Sequence, residues 1–162
     1  MKKKKQTVTN AMRLLDAAKI DYETVFYEAD EVGDNFGMEI ANLTGIPMDM
    51  SFKTLVAKGD KTGIMVACVS VDNEVDLKKL ATISKNKKVE MIHVKDLLSL
   101  TGYIRGGVSP IGMKKKYPTY VNDSALSHDK IAVSAGVCGA TVILTPNDLQ
   151  KITECEYGDI QK

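Results

Sequence analysis

The segment Thr101-Gly102-Tyr103-Ile104-Arg105-Gly106-Gly107-Val108-Ser109-Pro110-Ile111-Gly112 has the make-up of a backbone-lined ligand site. Paired glycines reach positive φ and let main chain approach a bound group closely. Exposed N–H groups in such a loop can hold an oxyanion or a phosphate without a side-chain nucleophile. Lys114-Lys115-Lys116 follow directly and favour an anionic ligand, so phosphate contact is expected of these three. The same glycines would equally serve a loop that only turns. A second constellation is Ser51-Phe52-Lys53-Thr54-Leu55. If Leu55 and Ala57 face the core, a period of two puts Lys53 on their side. An ammonium there needs a partner or a cleft. A strand lysine also serves as an exposed edge guard, and spacing alone leaves both readings open.

Conventional nucleophiles have little support. His93 and His128 are the two imidazoles, and neither falls in a recognised motif. The sequence contains no G-x-S-x-G elbow, H-E-x-x-H, P-loop or strand-linked G-x-G-x-x-G. Cys68, Cys138 and Cys155 are odd in number and widely spaced, which argues against a disulfide framework or a zinc site. Cys68 lies in the apolar run Met65 to Val71 and reads as a small buried hydrophobe. Neither a metal nor an organic cofactor is implied.

Elements that would position these residues can be read along the chain. A helix is expected over about Thr9 to Lys19, with Val8, Met12, Leu15 and Ala18 on one stripe and Thr7, Thr9 or Asn10 as cap. Tyr22 to Tyr27 reads as a strand. After Gly33-Asp34-Asn35, a short helix carries Phe36, Ile40 and Leu43 until Gly45 and Pro47. Phe52 to Ala57 and Gly63 to Val71 form a hairpin about a polar turn. Asp76 to Ser84 is helical, Val89 to Ile92 a strand, and Val94 to Leu100 a helix stopped by Gly102. Gly102 to Tyr117 is irregular. Tyr120-Val121, Ile131 to Ser134 and Thr141 to Leu144 are strands, and a last helix starts at Pro146 and runs to about Thr153. This order implies an α+β fold with a mixed, largely antiparallel sheet.

The 162 residues suit a single domain, 1–162, with 1–6 as a flexible basic tail. Hydrophobic residues at 44% and charged residues at 27% place the chain among globular proteins. Net charge is only +1, yet lysines gather at Lys2 to Lys5, at Lys85, Lys87 and Lys88, and at Lys114 to Lys116. One positive face for phosphates is therefore compatible with near neutrality, although such runs also serve as solvated surface. The first amphipathic run is broken by Arg13, Asp16 and Lys19, and no apolar stretch is long enough for a bilayer, so a cytoplasmic protein without membrane association is expected.

Taken in order, several short motifs resemble the YbaK/EbsC family of cysteinyl-tRNA(Pro) deacylases. They are Tyr27, Asn35-Phe36-Gly37, Phe52-Lys53-Thr54-Leu55, Asp76-Leu77-Lys78-Lys79, Lys87-Lys88-Val89-Glu90, Thr101-Gly102-Tyr103, Gly106 to Gly112, and Val133-Ser134-Ala135-Gly136. The resemblance runs from about Thr9 to Ile160. It implies a β-barrel-like mixed sheet surrounded by helices, related to the editing domain of some prolyl-tRNA synthetases. The activity implied is hydrolysis of a mischarged aminoacyl-tRNA, typically Cys-tRNA(Pro), by attack of the substrate's own thiol on its carbonyl. The partners implied are mischarged tRNA(Pro) and prolyl-tRNA synthetase. By the same resemblance Lys53 is the principal functional residue, with Gly106 and Gly107 presenting amides near the ester. Tyr27, Phe36, Thr54, Ser134 and Thr141 would line the substrate pocket. The chain departs from the family after the "SGG" segment. Val137 and Cys138 stand where basic residues are common, and Thr141 where an acid is common, which bears on amino-acid choice. A deacylase for another small amino acid and a non-catalytic tRNA- or nucleotide-binding module are the alternatives.

Overall fold

The computed structural model describes residues 8–28 and 41–162. The basic tail at 1–6, and the expected helix positions Phe36 and Ile40, lie outside the described residues.

Helix α1, Asn10–Ala17, begins where Thr9 Oγ1 accepts the Met12 N–H at 3.2 Å. That bond satisfies one of the unpaired donors of the first turn. Its apolar stripe buries Ala11, Met12 and Leu15. Helix α2, Leu77–Ser84, is capped by Asp76, which accepts from the N–H groups of Lys78 and Lys79. A single 3-10 turn, Val94–Asp96, leads into a short α3, Leu97–Thr101, so the helix expected over Val94 to Leu100 is split. Helix α4, Pro146–Thr153, starts with proline in its first turn and Thr145 as its cap.

The strands are β1 Glu23–Phe26, β2 Phe52–Gly59, β3 Gly63–Ser70, β4 Val89–Met91, β5 Thr119–Asn122, β6 Ile131–Ser134, β7 Ala140–Leu144 and β8 Glu156–Gly158. They form an α+β fold with mixed pairing, as expected, but divide into two sheets rather than closing a barrel. One is three-stranded and antiparallel in the order β1-β7-β6, and the other is five-stranded in the order β4-β2-β3-β5-β8. In the larger sheet β4, β2 and β3 are antiparallel, while β5 and β8 add in parallel. The two sheets meet where Ser51 bridges Ala132, whose N–H donates to the Met50 carbonyl at 2.9 Å.

Two apolar layers flank the hairpin β2–β3. Phe52, Val66 and Cys68 pack with α1, β6 and β7 in one core. Ala57, Met65, Ala67 and Val69 pack on the opposite face with Leu80 and Ala81 of α2 and with Ile160. Lys53 alternates with Leu55 and Ala57 and so belongs to this second face. The feature that matters for the site is the shortness of β4. It pairs only with Ala57, Lys58 and Gly59, and after Ile92 N–H reaches the Val56 carbonyl the chain turns away. The first half of β2 is thus left open along that edge.

Candidate functional site

A cavity of about 290 Å³ occupies this opening between the two sheets. That volume is at the small end of ligand sites, which run to roughly 300–1,000 Å³. Tyr27, Lys53, Thr54, Gly106, Ser134 and Thr141 all line it. Residues expected from five separate stretches of sequence are therefore brought together.

β2 supplies Lys53 and Thr54. Lys53 is half-buried, and burial lowers its pKa from the usual lysine value. The nearby carboxylates Glu74 and Asp72 act in the opposite sense. The ammonium makes no ion pair with a described residue. On the neighbouring rung Thr54 Oγ1 lies 3.7 Å from Cys68 Sγ. That thiol is buried and pushed up to about 12, chiefly by desolvation, so it is a packing group and not a nucleophile.

The smaller sheet forms the facing wall. Ser134 Oγ accepts the Gly136 N–H at 3.2 Å, and its hydroxyl donates to no described residue. Thr141 is buried, and its hydroxyl donates to the Val133 carbonyl at 2.7 Å. With the proton committed to backbone, Thr141 can offer a ligand only lone pairs. Tyr27 is partly buried with its phenol pushed up by burial, and its N–H donates to the Gly139 carbonyl at 2.9 Å.

The glycine pair divides into two roles. Gly106 lies in the left-handed region at φ +89° and lines the cavity, and its N–H has no partner among the described residues. Gly107 N–H instead donates to the Ile104 carbonyl at 2.9 Å, so in this geometry it is not an amide presented to a ligand. Gly107 is needed for a different reason. A Cβ there would meet Cys138 N at 2.9 Å and Val137 C and Cα at 3.0 Å. The glycine loop and the divergent Val137-Cys138 segment are thus in backbone contact. Burial raises the Cys138 thiol, which leaves it a neutral filler.

Sequence reasoning gave no role to Arg105 or to the apolar wall of Met91, Ile92, Val94 and Leu97, all of which line the cavity. Met91 and Val94 are conspicuously exposed for their type. No sequence signal marked them, since they reach the wall only because β4 ends at Met91. Lys114, Lys115 and Lys116 are exposed and outside the lining, and Lys116 Nζ pairs with Glu154 at 2.8 Å. Phe36 lies outside the described residues.

Residues 37–152 match the aminoacyl-tRNA editing domain family. The chain is 47% identical over 160 residues to the Enterococcus faecalis protein EbsC, assigned as a Cys-tRNA(Pro)/Cys-tRNA(Cys) deacylase, covering 98% of this chain and 96% of that one. It is 25% identical to the Escherichia coli multifunctional Ser/Thr-tRNA deacylase ProXp-y, over 100% of this chain and 97% of that one. Among solved structures, one assigned as a trans-editing enzyme for prolyl-tRNA synthetase superposes with a TM-score of 0.81 at 23% identity, covering 97% of this chain and 99% of that one. A second, hypothetical protein APE2540, superposes with a TM-score of 0.85 at 19% identity, covering 95% of this chain and 100% of that one.

Proposed function

The chain belongs to the aminoacyl-tRNA editing domain family and is an aminoacyl-tRNA deacylase, and from this premise we propose that its substrate is Cys-tRNA(Pro). The observation that carries the proposal is a small cavity equipped to position an ester, in which no side-chain nucleophile among the described residues is hydrogen-bonded to a base. Lys53 contributes a cation, Gly106 an N–H without a described partner, and Ser134 a hydroxyl, while no cysteine or histidine is among the described lining residues. Such a site accelerates a reaction whose nucleophile arrives with the substrate.

A cysteinyl ester brings that nucleophile. Its sulfur attacks its own carbonyl carbon, the carbon–oxygen bond to the terminal ribose breaks, and the ribose oxygen takes up the thiol proton. The products are a cyclic thioester and tRNA with a free 3′ end. Lys53 and the Gly106 N–H stabilise the negative charge that develops on the carbonyl oxygen. Tyr27 and Thr54 border the space for the terminal adenosine, and Ser134 and Thr141 border the amino acid. Cysteine and proline are close in size, so binding alone separates them poorly in a synthetase and a separate editing site is useful. Reading the rest of the tRNA would fall partly to a prolyl-tRNA synthetase partner, in the cytoplasm where translation runs.

The neutral Thr141 favours a second substrate class, because a small uncharged amino acid such as serine, on which the Escherichia coli relative acts, would also fit beside it. Comparing release from Cys-, Ser-, Ala- and Pro-tRNA(Pro) separates the two. Fast loss of the cysteinyl ester alone, abolished by Lys53→Ala, is the expected result. Equal rates for cysteine and serine would remove the intramolecular thiol, since a hydroxyl is the far weaker nucleophile.

A further inference from the structure

Five lysines that are scattered in sequence converge at the end of the β2–β3 hairpin: Lys58, Lys61, Lys85, Lys87 and Lys88. All are exposed. The backbone that carries them is fastened by two side chains. Asn86 Oδ1 accepts the N–H groups of Lys61 and Thr62 at 2.9 and 3.0 Å, and Asp60 Oδ1 accepts those of Lys87 and Lys88 at 3.0 and 3.1 Å. The Asp60 N–H in turn donates to the Lys88 carbonyl at 3.0 Å. Gly59 is buried beneath this clasp, because any side chain there would overlap the Asn86 amide.

Convergence rather than ionic state sets these lysines apart, since Lys19, Lys53, Lys78, Lys95, Lys114, Lys115 and Lys151 likewise hold no carboxylate among the described residues. Lys79, Lys116, Lys130 and Lys162 each hold a carboxylate within 4.0 Å. None of the five does so with a described residue. Two acids lie among them, Glu90 opposite Lys58 in the β2–β4 pairing and Asp60, whose Oδ1 is occupied by backbone. Five cations against two carboxylates leave a local positive excess, although the whole chain is only +1. A rigid, unpaired cationic cluster attracts a polyanion more strongly than lysines already paired.

The cluster is also connected to the cavity. β4 runs directly from Lys88 to Met91 and Ile92, which line the cavity wall. At about 3.4 Å per residue, Lys88 and Met91 are roughly 10 Å apart along that strand. We propose that this lysine cluster is the binding surface for the sugar–phosphate backbone of the tRNA acceptor end, leading from the ester held in the cavity. The inference rests on the deacylase reading of the site. It adds where the polymer lies, and it assigns phosphate recognition to residues far in sequence from the glycine loop.

The experiment compares hydrolysis of cysteinyl-tRNA(Pro) and of 3′-cysteinyl-adenosine, which has no polynucleotide to reach the cluster, at several salt concentrations. The variants are Lys61→Ala/Lys87→Ala/Lys88→Ala and, as a charge-matched control, Lys130→Ala/Lys151→Ala/Lys162→Ala. For the cluster variant, kcat/KM on the tRNA relative to the adenosine ester is expected to fall at least tenfold. Its salt slope should fall by roughly 0.7–0.9 for each lysine that meets a phosphate. The control should keep the wild-type slope. An unchanged slope and ratio in the cluster variant would overturn the proposal while leaving the deacylase reading intact. Failure of the wild-type protein to cleave either ester would remove the substrate assignment instead, and tRNA binding measured against salt would then decide the surface by the same slope criterion.

Discussion

Lys53 occupies a position where an ammonium is disfavoured, half-buried at the open edge of β2 and without an ion pair to a described residue. Burial holds its pKa below the ordinary lysine value, against the pull of Glu74 and Asp72. If the cation serves the reaction, kcat/KM falls as pH rises through that lowered value, so the alkaline limb lies below the usual lysine pKa of about 10.4. Lys53→Arg keeps its charge across this range, and the limb should move upward. A pH profile identical in both proteins would show that the limb belongs to another group. Stability responds in the opposite sense to activity. Between the lowered folded pKa and the unfolded one, the unfolded chain binds more protons, so unfolding free energy grows with pH. Lys53→Met removes the burden on the charged form. It should melt no lower than the wild type while losing roughly 10²–10³ in kcat, the typical effect of deleting one oxyanion donor. Gly107 gives a contrasting case, since its N–H is committed to Ile104 and its missing Cβ accommodates the Val137-Cys138 backbone. Gly107→Ala forces two main-chain segments apart, and overpacking of that kind costs about 1–3 kcal/mol. Urea unfolding measures it, and a loss near zero would mean that the two loops slide past each other freely.

The elements around the cavity are held by polar side chains at turns as much as by their own propensities. Asn86 illustrates this. It receives two backbone N–H groups from the β2–β3 turn, and its amide donates to Thr62 Oγ1 and Ser84 Oγ, each at 2.8 Å. Asn86→Ala leaves several of these groups without partners and should destabilise by about 1–3 kcal/mol. It should also weaken tRNA binding by loosening the clasp beneath the lysines. An effect on stability with no change in the salt slope would separate the clasp from the surface. Local signals of this kind explain which elements were legible in the sequence. The cap ahead of α1, the turn between β2 and β3 and Pro146 at the start of α4 announce themselves through residue chemistry, and those elements fall close to where expected, whereas Asp76, expected as the first residue of its helix, is the cap instead. The strand β8 did not, because Glu156, Tyr157 and Gly158 carry no alternation and pair with β5 only through tertiary position. The cavity was legible in part. Lys53 and Gly106 stood out through their types, whereas Met91 and Val94 belong to the wall only because β4 stops so soon.

At the scale of the whole molecule the end of the chain closes over the segment that shapes the site's charge. Ile160 is fully buried against α2 and β3. Its N–H donates to Asn122 Oδ1 at 3.0 Å, and its carbonyl accepts from Asp76 N–H at 2.7 Å. Gln161 Oε1 accepts the Ser70 N–H at 2.8 Å, and Lys162 N–H donates to the Glu74 carbonyl at 3.0 Å. These bonds hold residues 70–76 in place, and that stretch contributes Val71 to the cavity and Asp72 and Glu74 to the environment of Lys53. Stability of the second core and tuning of the site are therefore coupled through one buried side chain. Ile160→Ala should cost about 2–5 kcal/mol, the range for emptying a well-packed position, read as a lower urea midpoint with unchanged m. Below that midpoint the folded variant should also show the alkaline limb of activity displaced to lower pH, because Asp72 and Glu74 sustain the protonated form of Lys53 and their segment is no longer pinned. A large loss of stability with the limb in its wild-type position would show that residues 70–76 keep their arrangement without the C-terminal segment, and that the two effects are independent.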